Sequence, residues 1–208
     1  MTRARRIPYL AAAMAVAFAV GGCTSATHGP SASQSLAPSS SVATAATSTT
    51  ARPPESQVAS MAASAVLRKY YDVRNQLRTD PSKPLSLLTT IAISKELSTE
   101  KNLFTTERKQ GVHQVGDTKV TKLEVQSVNL DNSDPSAGKV PTVTIDVCYD
   151  VKGVDIVDKD GKSIVRPGRP NTGWIEYLVS NYQWAKDPEG GWRVASSQDI
   201  ERTPCAAS

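Results

Sequence analysis

The spacing of the apolar residues changes once along this chain, at Gly111. Before Gly111, apolar side chains recur every three or four residues, which is the period of an α-helix; after it they alternate with polar ones, which is the period of a strand. Helices that come first and strands that follow in a run are typical of the α+β class, in which helices pack on an antiparallel sheet. The sequence therefore predicts an α+β domain over residues 55–208.

Three helices are predicted in the first half of this domain. The first begins near Glu55, after two prolines, and ends at Asp80-Pro81, because the residue before a proline avoids helical dihedral angles. A second helix is predicted to start around Pro84, and a third to follow Ser94 and stop at Gly111. The stripe of the first helix that we expect to be buried consists of Val58, Ala62, Val66, Tyr70, Val73 and Leu77.

Six strand segments are predicted in the second half, at residues 119–130, 140–152, 154–157, 163–165, 174–184 and 192–197. In the first of them the alternation breaks between Val120 and Leu123, which indicates either a β-bulge or a later start of the strand. Residues 158–161 carry the signal of a hairpin turn between two short arms. Along residues 140–152, one face holds Val143, Ile145, Val147 and Tyr149, and the face that we expect to point away from the helices holds Thr144, Asp146, Cys148 and Asp150.

The first 22 residues have the pattern of a signal peptide. Three arginines lie within the first six residues, and an uncharged run over residues 7–20 is too short to span a bilayer, which needs about 20 helical residues. The run ends in Val20-Gly21-Gly22-Cys23, which resembles the lipobox of bacterial lipoproteins. The resemblance implies that signal peptidase II recognises Val20, Gly21 and Gly22 and cuts before Cys23. The Cys23 thiol would carry fatty acyl chains such as palmitate; the alternative is an ordinary secretory signal that happens to contain a cysteine.

Residues 23–54 are predicted to be a disordered tether behind the lipidated cysteine. Of the 31 residues from 24 to 54, 26 are Ser, Thr, Ala, Pro or Gly, a composition that cannot bury enough apolar surface to offset its ordering entropy.

The net charge of the chain does not indicate nucleic acid as a partner. The chain has 24 basic and 20 acidic residues, and removal of the three arginines of the signal leaves 21 against 20.

The order of these segments resembles the NTF2-like (cystatin-like) superfamily, and within it the secreted lipoproteins of actinobacteria. The resemblance rests on the lipobox and tether and on the runs at residues 66–71, 147–151, 157–162 and 191–194. It implies a curved antiparallel sheet against which a long helix and two short ones pack. It also implies a protein anchored through Cys23 to the outer face of the cytoplasmic membrane and projecting into the cell wall.

Catalytic and metal motifs are not found in the sequence. His113 is the only histidine of the domain, and no Gly-x-Ser-x-Gly elbow is present. Gly161-Lys162-Ser163 lacks the first glycine of a phosphate-binding loop, and the Asp158-x-Asp160 run fails as a calcium loop. No metal site or cofactor is therefore predicted, and no ligand-binding residue can be assigned. If the domain followed the enzymes among its NTF2-like relatives, such as ketosteroid isomerase and polyketide cyclase, its candidates would be Tyr70, Tyr71, Asp72, Asp146, Tyr149, Asp150 and Glu176.

We therefore expect a non-catalytic binding or interaction module at the cell envelope, whose partner is an envelope protein or a small apolar ligand. The alternatives are a pocket enzyme or small-molecule carrier and, more narrowly, a prophage-type lipoprotein that blocks superinfection. A deep pocket containing an ionisable residue would favour the pocket protein, whereas a cone between helices and sheet filled with aliphatic side chains would favour the interaction module.

A disulfide between Cys148 and Cys205 is predicted. With Cys23 acylated, these are the two remaining thiols, and an exported domain folds in an oxidising compartment. The bond requires the C-terminal tail to fold back across the outer face of the sheet. The same tail, or a partner, would cover the apolar residues that we expect on one face of the 174–184 strand, namely Trp174, Leu178, Tyr182 and Trp184.

Overall fold

A computed structural model of the chain describes residues 52–206. The predicted signal peptide, Val20, Gly21, Gly22, Cys23 and nearly all of the predicted tether lie outside the described residues. The division of the chain into residues 1–22, 23–54 and 55–208 therefore stays a prediction. No helix of the described part is long and apolar enough to cross a membrane.

Within residues 52–206, three helical segments precede the strands, as predicted. They are α1 (Glu55–Thr79), a 3₁₀ helix (Leu85–Thr90) and α2 (Ser94–Gln110). Gly111 ends α2 in the left-handed conformation at φ 70°, which a glycine adopts without steric cost. The N-terminal half of the buried stripe of α1 was predicted one position too early. Ala59, Ala63 and Leu67 are the fully buried residues there, whereas the predicted Ala62 and Val66 are partly buried and pack against the same core.

The six strands of the described part form two antiparallel sheets. The larger contains β2 (Lys119–Asn129), β3 (Thr142–Asp150), β5 (Thr172–Asn181) and β6 (Trp192–Ile200) in the order β2-β3-β5-β6; the smaller pairs β1 (His113–Val115) with β4 (Asp155–Val157). The predicted irregularity in β2 is confirmed, since the register with β3 shifts between Val120 and Lys122. Together with the helices, these sheets confirm the α+β class.

Two strand predictions need correction. Residues 163–165 do not form a regular strand. The predicted hairpin turn is present, with an antiparallel bridge between Val157 and Ser163 and a hydrogen bond of 2.9 Å from the Ile164 N–H to the Ile156 carbonyl, but the regular strand partner of β4 is β1. The strand predicted over 174–184 ends at Asn181, where a turn begins. Trp184 therefore leaves the face of Trp174 and packs edge-on against Trp192, with ring centroids 5.9 Å apart.

The main core lies between the helices and the face of the larger sheet that we call the inner face. On β3, Val143, Ile145 and Val147 are fully buried and belong to this core, as the alternation predicted. Its largest fully buried side chains include Trp192, Tyr70, Tyr177, Phe104 and Leu67. Aromatic and branched side chains supply most of the buried apolar area, which is the main favourable contribution to folding.

The other, outer face of the sheet is covered in part by the C-terminal tail, residues 201–206. Cys148 and Cys205 form a disulfide with their Cα atoms 6.3 Å apart, which confirms the predicted pairing. The Trp174 indole nitrogen donates to the carbonyl of Thr203 at 3.0 Å, and the Thr172 hydroxyl donates to the carbonyl of Cys205 at 3.1 Å. The tail therefore folds back across the sheet, as the disulfide requires.

Candidate functional site

Polar and ionisable side chains lie between the helices and the sheet, inside an otherwise apolar core. Helix α1 contributes Tyr70, Tyr71 and Arg74, and α2 contributes Glu96 and Glu100. Tyr70 and Arg74, like Glu96 and Glu100, are four residues apart, so each pair lies on one face of its helix. The inner face of the sheet adds Tyr177 from β5 and Ser197 from β6. We call these seven residues the inner cluster.

Hydrogen bonds within the inner cluster satisfy the Glu96 carboxylate and the hydroxyls of the three tyrosines. The Tyr70 hydroxyl donates to Oε1 of Glu96 in a short hydrogen bond, and the Ser197 hydroxyl donates to Oε2 of the same carboxylate at 2.9 Å. The hydroxyls of Tyr71 and Tyr177 form a hydrogen bond of 2.9 Å with each other. These contacts explain how Glu96 remains only 3% exposed, since a buried carboxylate requires partners.

The rings of the three tyrosines pack edge to face. Their centroids are 5.7 to 6.1 Å apart. Burial raises the pKa of the Tyr71 hydroxyl to about 12, and it also raises the pKa values of Tyr70 and Tyr177 well above their ordinary value. All three phenols are therefore neutral hydrogen-bond donors at physiological pH.

Arg74 is the cation of the inner cluster. Its Nε donates to Glu100 at 3.0 Å, and its guanidinium lies 5.4 Å from the centre of the Tyr70 ring. Burial works against the charge of Arg74, but the neighbouring tyrosines and Glu100 outweigh it and hold its pKa above the usual value. Arg74 is therefore a permanent cation whose side chain remains 20% exposed.

That exposed side of Arg74 opens into a cleft of about 210 Å³. We call it the Arg74 cleft. It is lined by Tyr71, Arg74, Arg78, Thr118, Tyr149, Val151 and Ile175. Arg78 forms an ion pair with Glu107, through a short hydrogen bond from Nη2 and one of 3.2 Å from Nε. The side chain of Asn75 accepts from the backbone N–H of Thr118 at 3.0 Å and donates to its carbonyl at 2.9 Å, so the rim is held in place.

Gly173 makes room for one wall of the Arg74 cleft. It lies opposite Tyr149 in the pairing of β3 with β5, and a methyl group at this position would collide with the Tyr149 hydroxyl and ring. Tyr149 therefore lies against the backbone of the neighbouring strand. No described residue forms a hydrogen bond with its hydroxyl, whose pKa is raised by burial.

The chemistry of the cleft follows from which groups line it. Glu96 and Glu100 are engaged with other cluster residues, and among the described residues no carboxylate lines the cleft. The charged side chains among the described lining residues are thus the two arginines, which are hydrogen-bond donors. The described residues also contain no group of three or more His, Cys, Asp or Glu side chains that could hold a metal ion.

The structure separates the candidate residues named from the sequence. Tyr70, Tyr71 and Tyr149 lie in the inner cluster or the Arg74 cleft. Asp72 is exposed on α1, and His113 lies on β1, in the small sheet. Asp146 and Glu176 lie on the outer face, which was predicted for Asp146. Asp146 binds Arg202 at 2.8 Å, and Glu176 accepts a hydrogen bond from Gln198 at 2.6 Å. Asp150 shares the parity of Asp146 along β3 and does not line the Arg74 cleft.

Arg74, Glu96 and Glu100 were not singled out from the sequence. Charged residues on a helix are usually solvated, so Glu96 and Glu100 look like surface positions. The available signal is that Glu96, Glu100 and Phe104 follow one another at steps of four, which places both glutamates on the buried stripe of α2. Arg74 likewise lies one turn after the buried Tyr70.

Comparisons with known proteins reveal a distant similarity of fold. No protein-family model matches the chain, and no curated protein sequence matches it. The chain is similar to the intermembrane space region of the chloroplast protein ARC6, with 17% identity and a TM-score of 0.46 over 68% of this chain and 96% of that one. It is also similar to TraH from the Gram-positive conjugative plasmid pIP501, with 8% identity and a TM-score of 0.37 over 73% of this chain and 98% of that one.

Proposed function

We propose that the chain is an exported, lipid-anchored protein whose NTF2-like domain is a non-catalytic binding module at the cell envelope. The observation that carries this proposal is the disulfide between Cys148 and Cys205. Disulfides form and persist in oxidising compartments and are rare where thiols are kept reduced. The sequence contains three cysteines, so this bond leaves Cys23 as the one thiol for another purpose.

The anchor of the proposed protein is the acylated Cys23 in the lipid bilayer. Each buried methylene of an acyl chain contributes about 0.8 kcal/mol, so two chains anchor a protein stably where one does not. Residues 24–54, extended, reach about 100 Å from the membrane at most. This arrangement would present the domain on the outer face of the cytoplasmic membrane, within the cell wall.

Binding rather than catalysis is supported by the state of the carboxylates. Glu96 accepts hydrogen bonds from Tyr70 and Ser197, and Glu100 pairs with Arg74, so neither is available as a base. The inner cluster therefore stabilises a fixed arrangement, and the donors left over on Arg74 and Arg78 face the cleft. A rigid cleft with unused donors is suited to holding a ligand.

A pocket enzyme or small-molecule carrier is the second candidate, because ionisable side chains do occur between the helices and the sheet. The Arg74 cleft measures about 210 Å³, below the range of about 300 to 1,000 Å³ for pockets that enclose drug-sized ligands, which weighs against this candidate. The criterion of an aliphatic cone is not met, because Arg74, Glu96 and Glu100 lie within it. This combination favours a small ligand over a large apolar one.

The anchor is tested with the full-length chain expressed in a bacterium that processes lipoproteins. We expect the wild-type protein to partition into detergent and to be shorter than its precursor, whereas Cys23→Ala remains an aqueous-phase or unprocessed precursor. Gly22→Ala is the matched control, because alanine is small and should be processed like the wild type. Normal processing and detergent partition of Cys23→Ala would overturn the proposal.

The non-catalytic part is tested by cross-linking on intact cells. We expect neighbouring envelope proteins or a retained small molecule to be recovered with the wild type, in amounts that fall when Arg78 is replaced. Turnover of a recovered small molecule by the purified protein would identify the second candidate, the pocket enzyme, instead.

A further inference from the structure

We propose that the Arg74 cleft is a binding site for a small carboxylate with a single aromatic or branched apolar body. This inference rests on the proposed binding function but not on the lipid anchor, and it names the class of ligand. It follows from the donors that line the cleft, from its size and from the way in which its walls are held.

The polar groups that face the cleft without a partner are hydrogen-bond donors. A guanidinium has five N–H donors, and Arg74 uses only Nε, on Glu100. Arg78 uses Nε and Nη2, both on Glu107, which leaves Nη1. No described residue accepts a hydrogen bond from the terminal nitrogens of Arg74 or from Nη1 of Arg78. Two partly buried guanidinium groups with open donors are complementary to a carboxylate.

Glu100 and Glu107 orient these donors rather than fill the site. Glu100 binds Arg74 and Glu107 binds Arg78, and neither glutamate lines the cleft. Each guanidinium is therefore held by its glutamate on one side and is open to the cleft on the other. The side chains of Arg74 and Arg78 are 20% and 22% exposed, so their charges are less screened than those of surface arginines. Binding then orders few side chains, which limits its entropic cost.

The other walls require an apolar body on the ligand. The residues that line the cleft include the aliphatic Val151 and Ile175 and the aromatic Tyr71 and Tyr149. Gly173 leaves room for the Tyr149 ring against the strand, and no described residue forms a hydrogen bond with the Tyr149 hydroxyl. The volume of about 210 Å³ is small, and it suits a ligand of one ring with its carboxylate.

The test is calorimetric titration of the full-length chain with benzoate, benzamide and phenyl phosphate. Benzamide has nearly the shape of benzoate without its charge, and phenyl phosphate carries the other anion that arginines bind. We expect saturable binding of benzoate and binding of benzamide that is about tenfold weaker or more, since a charged hydrogen bond is lost. Phenyl phosphate should not bind more tightly than benzoate.

Three variants attribute the binding to the cleft. Arg78→Met and Tyr149→Phe keep most of the packing, and each should weaken benzoate binding by about fivefold to tenfold. Arg78→Met should also reduce the preference for benzoate over benzamide. Arg68→Met is the matched control, because Arg68 is exposed on the same helix and should leave binding unchanged. Thermal unfolding of each variant without ligand establishes that it is folded.

Several results would overturn the inference. They are no saturable benzoate binding below about 10 mM, equal affinities for benzoate and benzamide, tighter binding of phenyl phosphate, or unchanged binding in both cleft variants. Failure of benzoate binding with normal processing at Cys23 would remove the ligand class and leave the proposed anchor in place. Loss of processing at Cys23 with intact benzoate binding would remove the proposed anchor and leave the ligand class in place.

Discussion

The inner and outer faces of the four-stranded sheet both bury charged groups, but different parts of the chain cover them. On the inner face, α1 and α2 pack against the sheet, and Tyr70, Glu96 and Tyr177 are buried between them together with a large apolar core. On the outer face, the short tail over residues 201–206 covers Asp146, Cys148 and Trp174, and a disulfide attaches it. Packing of whole helices therefore holds one set of polar groups, and a covalent bond with a few local contacts holds the other.

Arg202 is the main contact of the outer face besides the disulfide. Its guanidinium lies 4.0 Å from the centre of a Trp174 ring and binds Asp146 and Glu124 at 2.8 Å each. Arg202 itself is 36% exposed at the side chain. A tail of this kind gains little from the hydrophobic effect, so we expect its stability to depend on single interactions. The inner face should instead respond to the loss of a side chain as a core does.

The largest effect is expected from removal of the disulfide. Replacement of both Cys148 and Cys205 by alanine should lower the free energy of unfolding by about 4 kcal/mol, because 57 positions separate the two cysteines and the open loop gains entropy in the unfolded state. Urea denaturation measures this change. Amide exchange should accelerate in the tail and on the outer face before the helices. A change below about 1 kcal/mol would indicate that local contacts alone hold the tail.

Tyr70→Ala should destabilise the protein by about 3 kcal/mol, because a fully buried ring is lost and Glu96 loses a donor. Tyr70→Phe separates the two effects and should cost about 1 kcal/mol, the usual value of one hydrogen bond. Tyr182→Ala is the control, since Tyr182 is 40% exposed. If Tyr70→Ala and Tyr182→Ala had equal effects, the inner face would not behave as a core.

Alkaline pH should weaken the inner face through its buried phenols. Burial raises the pKa of Tyr71 to about 12 from 10.0, so the folded state keeps a proton that the unfolded state loses. This stabilisation is complete below pH 10 and is lost as the pH rises towards 12, by about 2 kcal/mol for Tyr71 alone. Denaturation of the wild type and Tyr71→Phe between pH 9 and 12 measures it. If the free energy of unfolding fell equally with pH in the two proteins, Tyr71 would not be the source of the loss.

A smaller effect is expected for Arg202→Met on the outer face. The change leaves Asp146 without its cation in a place where burial already raises its pKa, and it should cost about 1.5 kcal/mol after allowance for the exposure of Arg202. Glu124→Gln removes the other partner of Arg202 and should cost less, because Asp146 stays paired. The order of the two variants in urea denaturation is the measurement. A larger loss for Glu124→Gln would mean that Asp146 does not need Arg202.

Much of the architecture follows from patterns within short stretches of sequence. The period change at Gly111, the irregularity after Val120 and the two faces of β3 are local properties, and each was predicted. The strand at 154–157 was predicted and corresponds to β4, but its partner β1 was missed, because three residues are too few to show a period. The end of β5 at Asn181 was missed because Tyr182 and Trp184 continue the alternation into a turn.

The candidate site was less predictable than the fold. Tyr70, Tyr71 and Tyr149 were named from the sequence, whereas Arg74, Glu96 and Glu100 were not. A charged residue on a helix is assigned to solvent unless the partner that would satisfy it is known. The partner of Arg74 is 26 positions away, and the serine that binds Glu96 is 101 positions away.

The sequence by itself determined the class of fold, because hydrophobic period and chain order are local and linear properties. It also determined the disulfide, because two cysteines of the domain allow one pairing. Only the tertiary structure decided that the space between the helices and the sheet holds a network of tyrosines, glutamates and an arginine with a cleft beside it. That network depends on contacts between distant segments, and the favourable energy of each contact exists only once packing has excluded water.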